Sequence, residues 1–336
     1  MKGKKTILIT GGNDGIGKST AKALARKGLR VVLACRNEAR AQKAVKEIKK
    51  QSANEEVVFL PCDLASFDSI REAARQFKDK FGQLDVLVNN AGLYTSHLDH
   101  TQEGYELQFG VNHLGHFLLT HLLLGPLKQA GEPRVVNVSS IAYLHGQIDF
   151  NNLRGEKGPE HYDGMKAYAQ SKLANVLFTR ELARRYPEID AFALHPGAIR
   201  TRIGNKHTAW YTSIGWHLLK ILMRPTEKGA KTPVYLATSP KSNSAYKAIN
   251  EAQALVRQTG NLPVPLHLRN APTQLMKQLD YGKGYKYAHD YSGNFVEQEF
   301  LPDDISKTKL FDPQANPPEE NIRKRLRQLW KEWYGY

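Results

Sequence analysis

Residues 11–20, GGNDGIGKST, spell a phosphate-binding pattern twice. Read from Gly12, the stretch is G-x-x-x-x-G-K-S, ending on Gly17, Lys18 and Ser19, which is the phosphate loop of an ATPase. Read from Thr10, it is T-G-x-x-x-G-x-G, with Gly11, Gly15 and Gly17 forming a dinucleotide-binding turn. Both readings use the same physics. A strand ends, glycines let the backbone approach a phosphate, and a helix N-terminus offers free N–H groups and the positive end of its dipole. Two further sets of residues could carry chemistry. His113, His116 and His121 share one expected helix, but neither a cysteine nor a carboxylate completes a ligand set, so no metal is expected. Cys35 and Cys62 sit in apolar runs and read as buried, reduced thiols.

The elements around the loop follow a regular rhythm. KTILIT, LRVVLAC, EEVVFLPCDL, QLDVLVNNAG, PRVVNVSS and IDAFALHPG are short apolar runs, each ended by polar or glycine-rich punctuation. Their Val, Ile and Leu are continuous rather than alternating, which predicts strands covered on both faces and therefore a parallel sheet. Between them lie helical stretches such as IGKSTAKALARKG, with Gly28 as its stop, and NEARAQKAVKEIKKQ, capped by Asn37. Repeated β-α units with right-handed crossovers give an α/β fold with a doubly wound, parallel, Rossmann-type sheet. Near residue 238 the rhythm stops. The tail is expected to be mostly α-helical and irregular, and the domains expected are 1–238 and 239–336.

Bulk properties narrow the class. The chain has 336 residues, is 41% hydrophobic and 24% charged, and carries a net charge of +15. Such a composition fits a globular protein with a substantial core. The positive excess is spread along the chain, as on a solvated surface, and argues only weakly for nucleic acid. No stretch resembles a membrane span, and the apolar run in MKGKKTILIT is too short for a signal peptide. A cytoplasmic protein is the expectation.

The strand ends decide between the two loops. An ATPase needs a second strand ending in an acidic residue to hold magnesium. The strands here end in NNAG, NVSS and HPG instead. Thr10-Gly11-x-x-x-Gly15-Ile16-Gly17, Asn89-Asn90-Ala91-Gly92, Ser140, Tyr168-x-x-x-Lys172 and His195-Pro196-Gly197 with Thr201 resemble, in order, the short-chain dehydrogenase/reductase family. ACRN, NHLGHFLLT, SKLANVLFTREL and the long insertion between Ser140 and Tyr168 resemble its retinol-dehydrogenase-like subgroup, over about residues 4–238.

The resemblance implies an NAD(P)-dependent oxidoreductase acting on CH–OH donors. Hydride transfer at a carbinol carbon requires a proton to move at its oxygen, and Tyr168 would move it. Lys172, one helical turn on, would favour the phenolate, and Ser140 would hydrogen-bond the substrate oxygen. Asn112 matches the asparagine of the family's water-mediated proton relay. Cofactor contacts carry over to Thr10, Gly11, Asn13, Gly15, Ile16, Gly17, Arg36, Asp63, Leu64, Asn90, Ala91, Gly92, Tyr168, Lys172, Pro196, Gly197 and Thr201. Arg36 stands where an acidic residue would bind the ribose of NAD, so NADP is expected over NAD, although Asp14 in the loop would repel a 2′-phosphate. The subgroup implies a lipophilic carbonyl or alcohol substrate resembling retinal, a steroid or an aliphatic aldehyde or ketone. Residues 203–224, with Trp210 and Trp216, either line its cleft or serve as core or dimer contact.

The tail carries a second resemblance. YLATSPKSNSAYKAINEAQALVR, LPVPLHLRNAP, YGKGYKYAHDY and FVEQEFLPDD resemble the C-terminal oligomerisation region of replication-associated recombination AAA+ ATPases. This implies a fusion joined within YLATSPKSN, a homo-oligomer (dimer or tetramer), a dehydrogenase half without its last edge strand, and exposed Trp330 and Trp333. The alternative to the enzyme is a non-enzymatic oligomeric or DNA-maintenance protein whose Rossmann half only binds nucleotide. Intact Ser140, Tyr168 and Lys172 favour the enzyme.

Overall fold

A computed structural model describes residues 4–197, 199, 224–239, 244–260, 262–269, 273–291, 295–313, 317–330 and 333–336. The chain divides into two compact units, Met1–Thr238 and Ser239–Tyr336. The first is built on six strands: β1 (Thr6–Thr10), β2 (Arg30–Cys35), β3 (Val57–Pro61), β4 (Val86–Asn89), β5 (Arg134–Val138) and β6 (Asp190–Leu194). They pair in the order β3-β2-β1-β4-β5-β6, and every pair is parallel. The order reverses between β1 and β4, and the crevice at such a switch point is where open α/β sheets hold ligands.

The continuous apolar runs have the expected cause. Alternate residues feed two cores. Leu8, Val32, Leu87 and Val135 pack on one face, and Ile9, Leu33, Val88 and Val136 on the other. Each fully buried side chain of this kind contributes about 1.5–3 kcal/mol. One face is covered by α1 (Gly15–Ala25) and α2 (Glu38–Ser52), the other by α3 (Phe67–Phe81) and the helices that follow β4. Asp14, Asn37 and Ser66 cap the first three helices through their side chains.

The long helix expected after β4 is interrupted. A short α4 (Leu107–Phe109) runs into a π turn, Gly110–Leu114, before α5 (Gly115–Leu122) and α6 (Leu124–Lys128). Single π turns inside helices recur at functional sites, because they re-aim side chains and free a carbonyl from the helical ladder. Here the turn contains Asn112. The 22-residue α7 (Gly164–Arg185) then carries Tyr168 and Lys172.

A further helix, α8 (Thr226–Thr238), closes the first unit against α1. Ser19 donates to the Thr226 hydroxyl at 2.9 Å, and the buried Arg134 donates to the Leu236 carbonyl at 2.8 Å. In the second unit, α9 (Ser244–Thr259), α10 (Gln274–Gln278) and α11 (Pro317–Trp330) are joined by long irregular segments. Its polar hub is Glu299. Burial alone would raise this carboxyl, but donors from Leu301, Lys307, Tyr334 and Ser306 hold it at about 2. The expectation of exposed tryptophans is corrected: Trp330 and Trp333 are both half-buried, and Trp330 packs edge-on against Phe295 and Tyr334.

Candidate active site

The glycine loop leaves the C-terminal end of β1. Gly11 and Gly15 have φ of +65° and +53°, values a side chain disfavours. Gly17 is glycine for want of space: a Cβ there would stand 2.5 Å from the Gly11 carbonyl oxygen and collide with the Asn90 amide. The backbone therefore lies bare at the start of α1, as close approach to a pyrophosphate requires. Residues of this type and placement fit a bound dinucleotide.

Two contacts add to the case against the ATPase spelling. Lys18 is turned away to pair with Glu47 on α2, and Ser19 is bonded to Thr226. Both side chains are thus engaged with neighbouring helices in this structure. Asp14, for its part, caps α1 by accepting from the Gly15 N–H at 2.8 Å.

Asn90 and Ala91 follow β4 and are pinned to the loop. Both backbone N–H groups donate to the Thr10 hydroxyl at 2.9 Å, and the Asn90 side chain donates to the Thr10 carbonyl at 2.9 Å. Asn89 instead lies within the sheet, donating to Asn137 and Thr120. A Cβ at Gly92 would stand 3.3 Å from Asn112 Oδ1 and 3.5 Å from Lys172 Nζ, which places the two ends of the site side by side.

Asn112 is fully buried and holds the strand-following loop from both sides. Its side chain accepts from Leu93 N–H at 2.8 Å and donates to the Leu93 carbonyl at 3.0 Å and to Ser171 at 3.1 Å. Lys172 donates to the Val138 carbonyl at 3.1 Å, and its Nζ lies 5.4 Å from the centre of the Tyr168 ring. Burial lowers the Lys172 ammonium to about 8. Burial also raises the Tyr168 phenol, against a hydrogen bond from Ser140. Ser140 itself caps the 3₁₀ turn Ile141–His145.

At the far end of the crevice, Arg36 Nε and Asp63 Oδ2 stand 4.0 Å apart beyond β2 and β3. Arg36 is largely exposed, and Asp63 accepts from Ala65 N–H at 3.0 Å. Leu64 is buried, with Gly115 of α5 pressed close to its backbone. Backbone groups of Gly11, Gly12 and Asn13 surround the Cys35 thiol, which burial raises to about 11. Ile16 lies beside Gly229 of α8. Pro196 and Gly197 follow β6, and Gly197 has φ of +83°. Thr201 lies outside the described residues, as do Trp210 and Trp216. No helix among the described residues is long and apolar enough to cross a membrane, and those residues hold no group of three or more potential metal ligands.

The family model described as short chain dehydrogenase matches residues 5–212. The chain belongs to this family. As a short-chain dehydrogenase it is an oxidoreductase acting on alcohol and carbonyl groups, and it binds NAD(P). Retinol dehydrogenase 12 of Mus musculus is 43% identical over 235 residues, which cover 69% of this chain and 73% of that protein. Retinol dehydrogenase 14 of Homo sapiens is 41% identical over 259 residues, covering 70% and 75%. The solved structure of salutaridine reductase from Papaver somniferum aligns with a TM-score of 0.56 at 25% identity, over 70% of this chain and 97% of that one. A second model, described as the MgsA AAA+ ATPase C terminal, matches residues 228–330. That match begins inside α8, a helix that packs in the dehydrogenase unit.

Several groups of this dehydrogenase escaped the sequence. Ser139 donates to the Lys172 carbonyl at 2.8 Å and so ties α7 to the end of β5. The Tyr94 ring meets that of Tyr168 edge-on at 6.1 Å. His113 and His116, paired in sequence, serve different neighbours: His113 lies among Phe109, Phe117 and Phe178, whereas His116 reaches Thr10. In the sequence their helical spacing raised only the question of a metal site, with no cysteine or carboxylate to complete it.

Proposed function

We propose that the protein is an NADP-dependent dehydrogenase/reductase in which Tyr168 exchanges the proton at the substrate oxygen while hydride moves to or from the carbon. NADP, when bound, supplies the hydride donor or acceptor. The observation that supports this reading best is the buried Lys172 one turn from Tyr168, its Nζ 5.4 Å from the ring centre and bonded to the Val138 carbonyl at the end of β5 that precedes Ser140. Ser140 would orient the substrate oxygen toward the phenol. Lys172, able to lose its proton near pH 8, would return the proton to Tyr168 or accept it. Arg36 would meet the 2′-phosphate, with Gly11, Asn13, Gly15 and Gly17 bordering the pyrophosphate and Asp63 the adenine. The similarity to retinol dehydrogenases favours a lipophilic carbonyl or alcohol, and the tail a homo-oligomer.

Titration of the full chain with NADPH and with NADH, followed by nucleotide fluorescence, tests the cofactor choice. Turnover of retinoids, steroids and aliphatic aldehydes by the native protein and by Tyr168→Phe tests the chemistry. Equal affinity for both nucleotides would remove the NADP assignment. Undiminished turnover in Tyr168→Phe would remove the tyrosine.

A further inference from the structure

His116 is 1% exposed and makes two hydrogen bonds to groups on opposite sides of the crevice. Its Nδ1 lies 2.9 Å from the Asn112 carbonyl oxygen, and its Nε2 lies 2.8 Å from the Thr10 hydroxyl. A carbonyl only accepts, so Nδ1 carries the hydrogen. In a neutral ring Nε2 is then the acceptor, and the Thr10 hydroxyl must donate to it. This orientation also completes Thr10. Its oxygen accepts the N–H groups of Asn90 and Ala91, each at 2.9 Å, and its single hydrogen goes to His116. The Val88 carbonyl, 3.4 Å away, is left as the weaker choice. The Asn112 carbonyl also receives the Asn175 side chain at 3.0 Å, so this carbonyl within the π turn is held by two side-chain donors.

We propose that His116 is a positioning residue: as an Nδ1–H imidazole it sets the spacing between the cofactor loop at Thr10 and the π turn at Asn112. Every link in the chain is buried. Thr10 holds Asn90 and Ala91, Asn112 holds Leu93 from the other side, and His116 joins the two holders. A shift at either end is carried to the other, because the imidazole is rigid and its two nitrogens are fully engaged. Packing alone would leave the ring orientation and the tautomer free.

The inference rests on the proposed cofactor reading for its functional consequence, but its first test does not. In full-length protein labelled with ¹⁵N-histidine, the His116 ring is expected to show a protonated Nδ1 and a bare Nε2, unchanged from about pH 5 to about pH 9. An Nε2–H tautomer, or a ring that titrates in that range, overturns the proposal. The second test uses His116→Asn, whose shorter amide can reach the Asn112 carbonyl but not Thr10. Its NADPH Kd is expected to rise about tenfold with the melting temperature little changed. Thr10→Val is expected to weaken NADPH as well, and the double variant to lose no more than the worse single one, because both remove the same link. Unchanged Kd with a lowered melting temperature, or strictly additive losses, would show His116 to be packing only. If the native protein binds no NADPH, the cofactor reading falls, and the tautomer still decides the linkage.

Discussion

Lys172 and Tyr168 stand one turn apart on α7, with the lysine Nζ 5.4 Å from the tyrosine ring centre and bonded to the Val138 carbonyl. The lysine is fully enclosed, and desolvation brings its ammonium down to about 8 from 10.5. A lysine lowered in the folded state binds fewer protons there than in the unfolded chain between those two values. Stability contributed by this group therefore rises as pH climbs from about 8 to 10.5, and the cost of burying the charge is fully present below about 8. Lys172→Met is expected to abolish that cost. Chemical denaturation at neutral pH should show it more stable than the native protein by about 1–3 kcal/mol, while turnover falls about 10²-fold or more. A variant both less stable and fully active would contradict the assignment.

Acid should act through the histidines. Burial lowers His116 to about 3 and His113 to about 4. Both are below their unfolded value of 6.5, so the unfolded chain takes up protons first and stability is lost as pH falls through 6.5 toward those values. At pH 5 each histidine is expected to cost about 2 kcal/mol relative to neutral pH. Denaturation midpoints across this range should move less in His113→Asn than in the native protein.

Gly17→Ala tests the cradle directly. The added carbon meets the Gly11 carbonyl and the Asn90 amide, so the loop must open to admit it. The expected result is a loss of about 1–3 kcal/mol in stability and of measurable nucleotide binding. Calorimetric titration that still finds native affinity would rule out close approach at this glycine.

Arg36→Asp tests the end of the crevice. Arg36 faces Asp63 at 4.0 Å and is otherwise open. Exchanging its positive charge for a carboxylate is expected to weaken NADPH about tenfold or more and to bring NADH to equal or better affinity. Parallel fluorescence titrations measure both. An unchanged preference would make Arg36 an ordinary surface arginine.

Much of the first unit was legible in the residues themselves. The six apolar runs become the six strands. Of these, β1, β2, β4 and β5 are buried along almost their whole length, as a strand covered on both faces must be. The edge strands β3 and β6 are partly open, and the switch point lies between β1 and β4. Asn37 caps its helix as expected because a capping side chain acts on N–H groups within three residues. The break at Gly110–Leu114 was not legible. Its sequence is helix-compatible, and the Asn112 carbonyl within it is held by His116 and Asn175, residues of α5 and α7.

The loop at residues 11–20 shows where the division falls. Residue order alone supplied two spellings, the strand endings favoured one, and glycine spacing located a bare backbone. Lys18 is drawn toward Glu47 only because α2 lies beside it, and Ser19 toward Thr226 only because α8 does. The sequence by itself determined which residues have the chemistry for phosphate, proton and hydride, since these depend on side-chain type and local spacing. Tertiary structure decided which of them are free to act, how burial sets Lys172 against Tyr168, and that His116 joins Thr10 to Asn112. Those outcomes depend on neighbours distant in the chain and on removal from water, and neither is encoded in any short stretch.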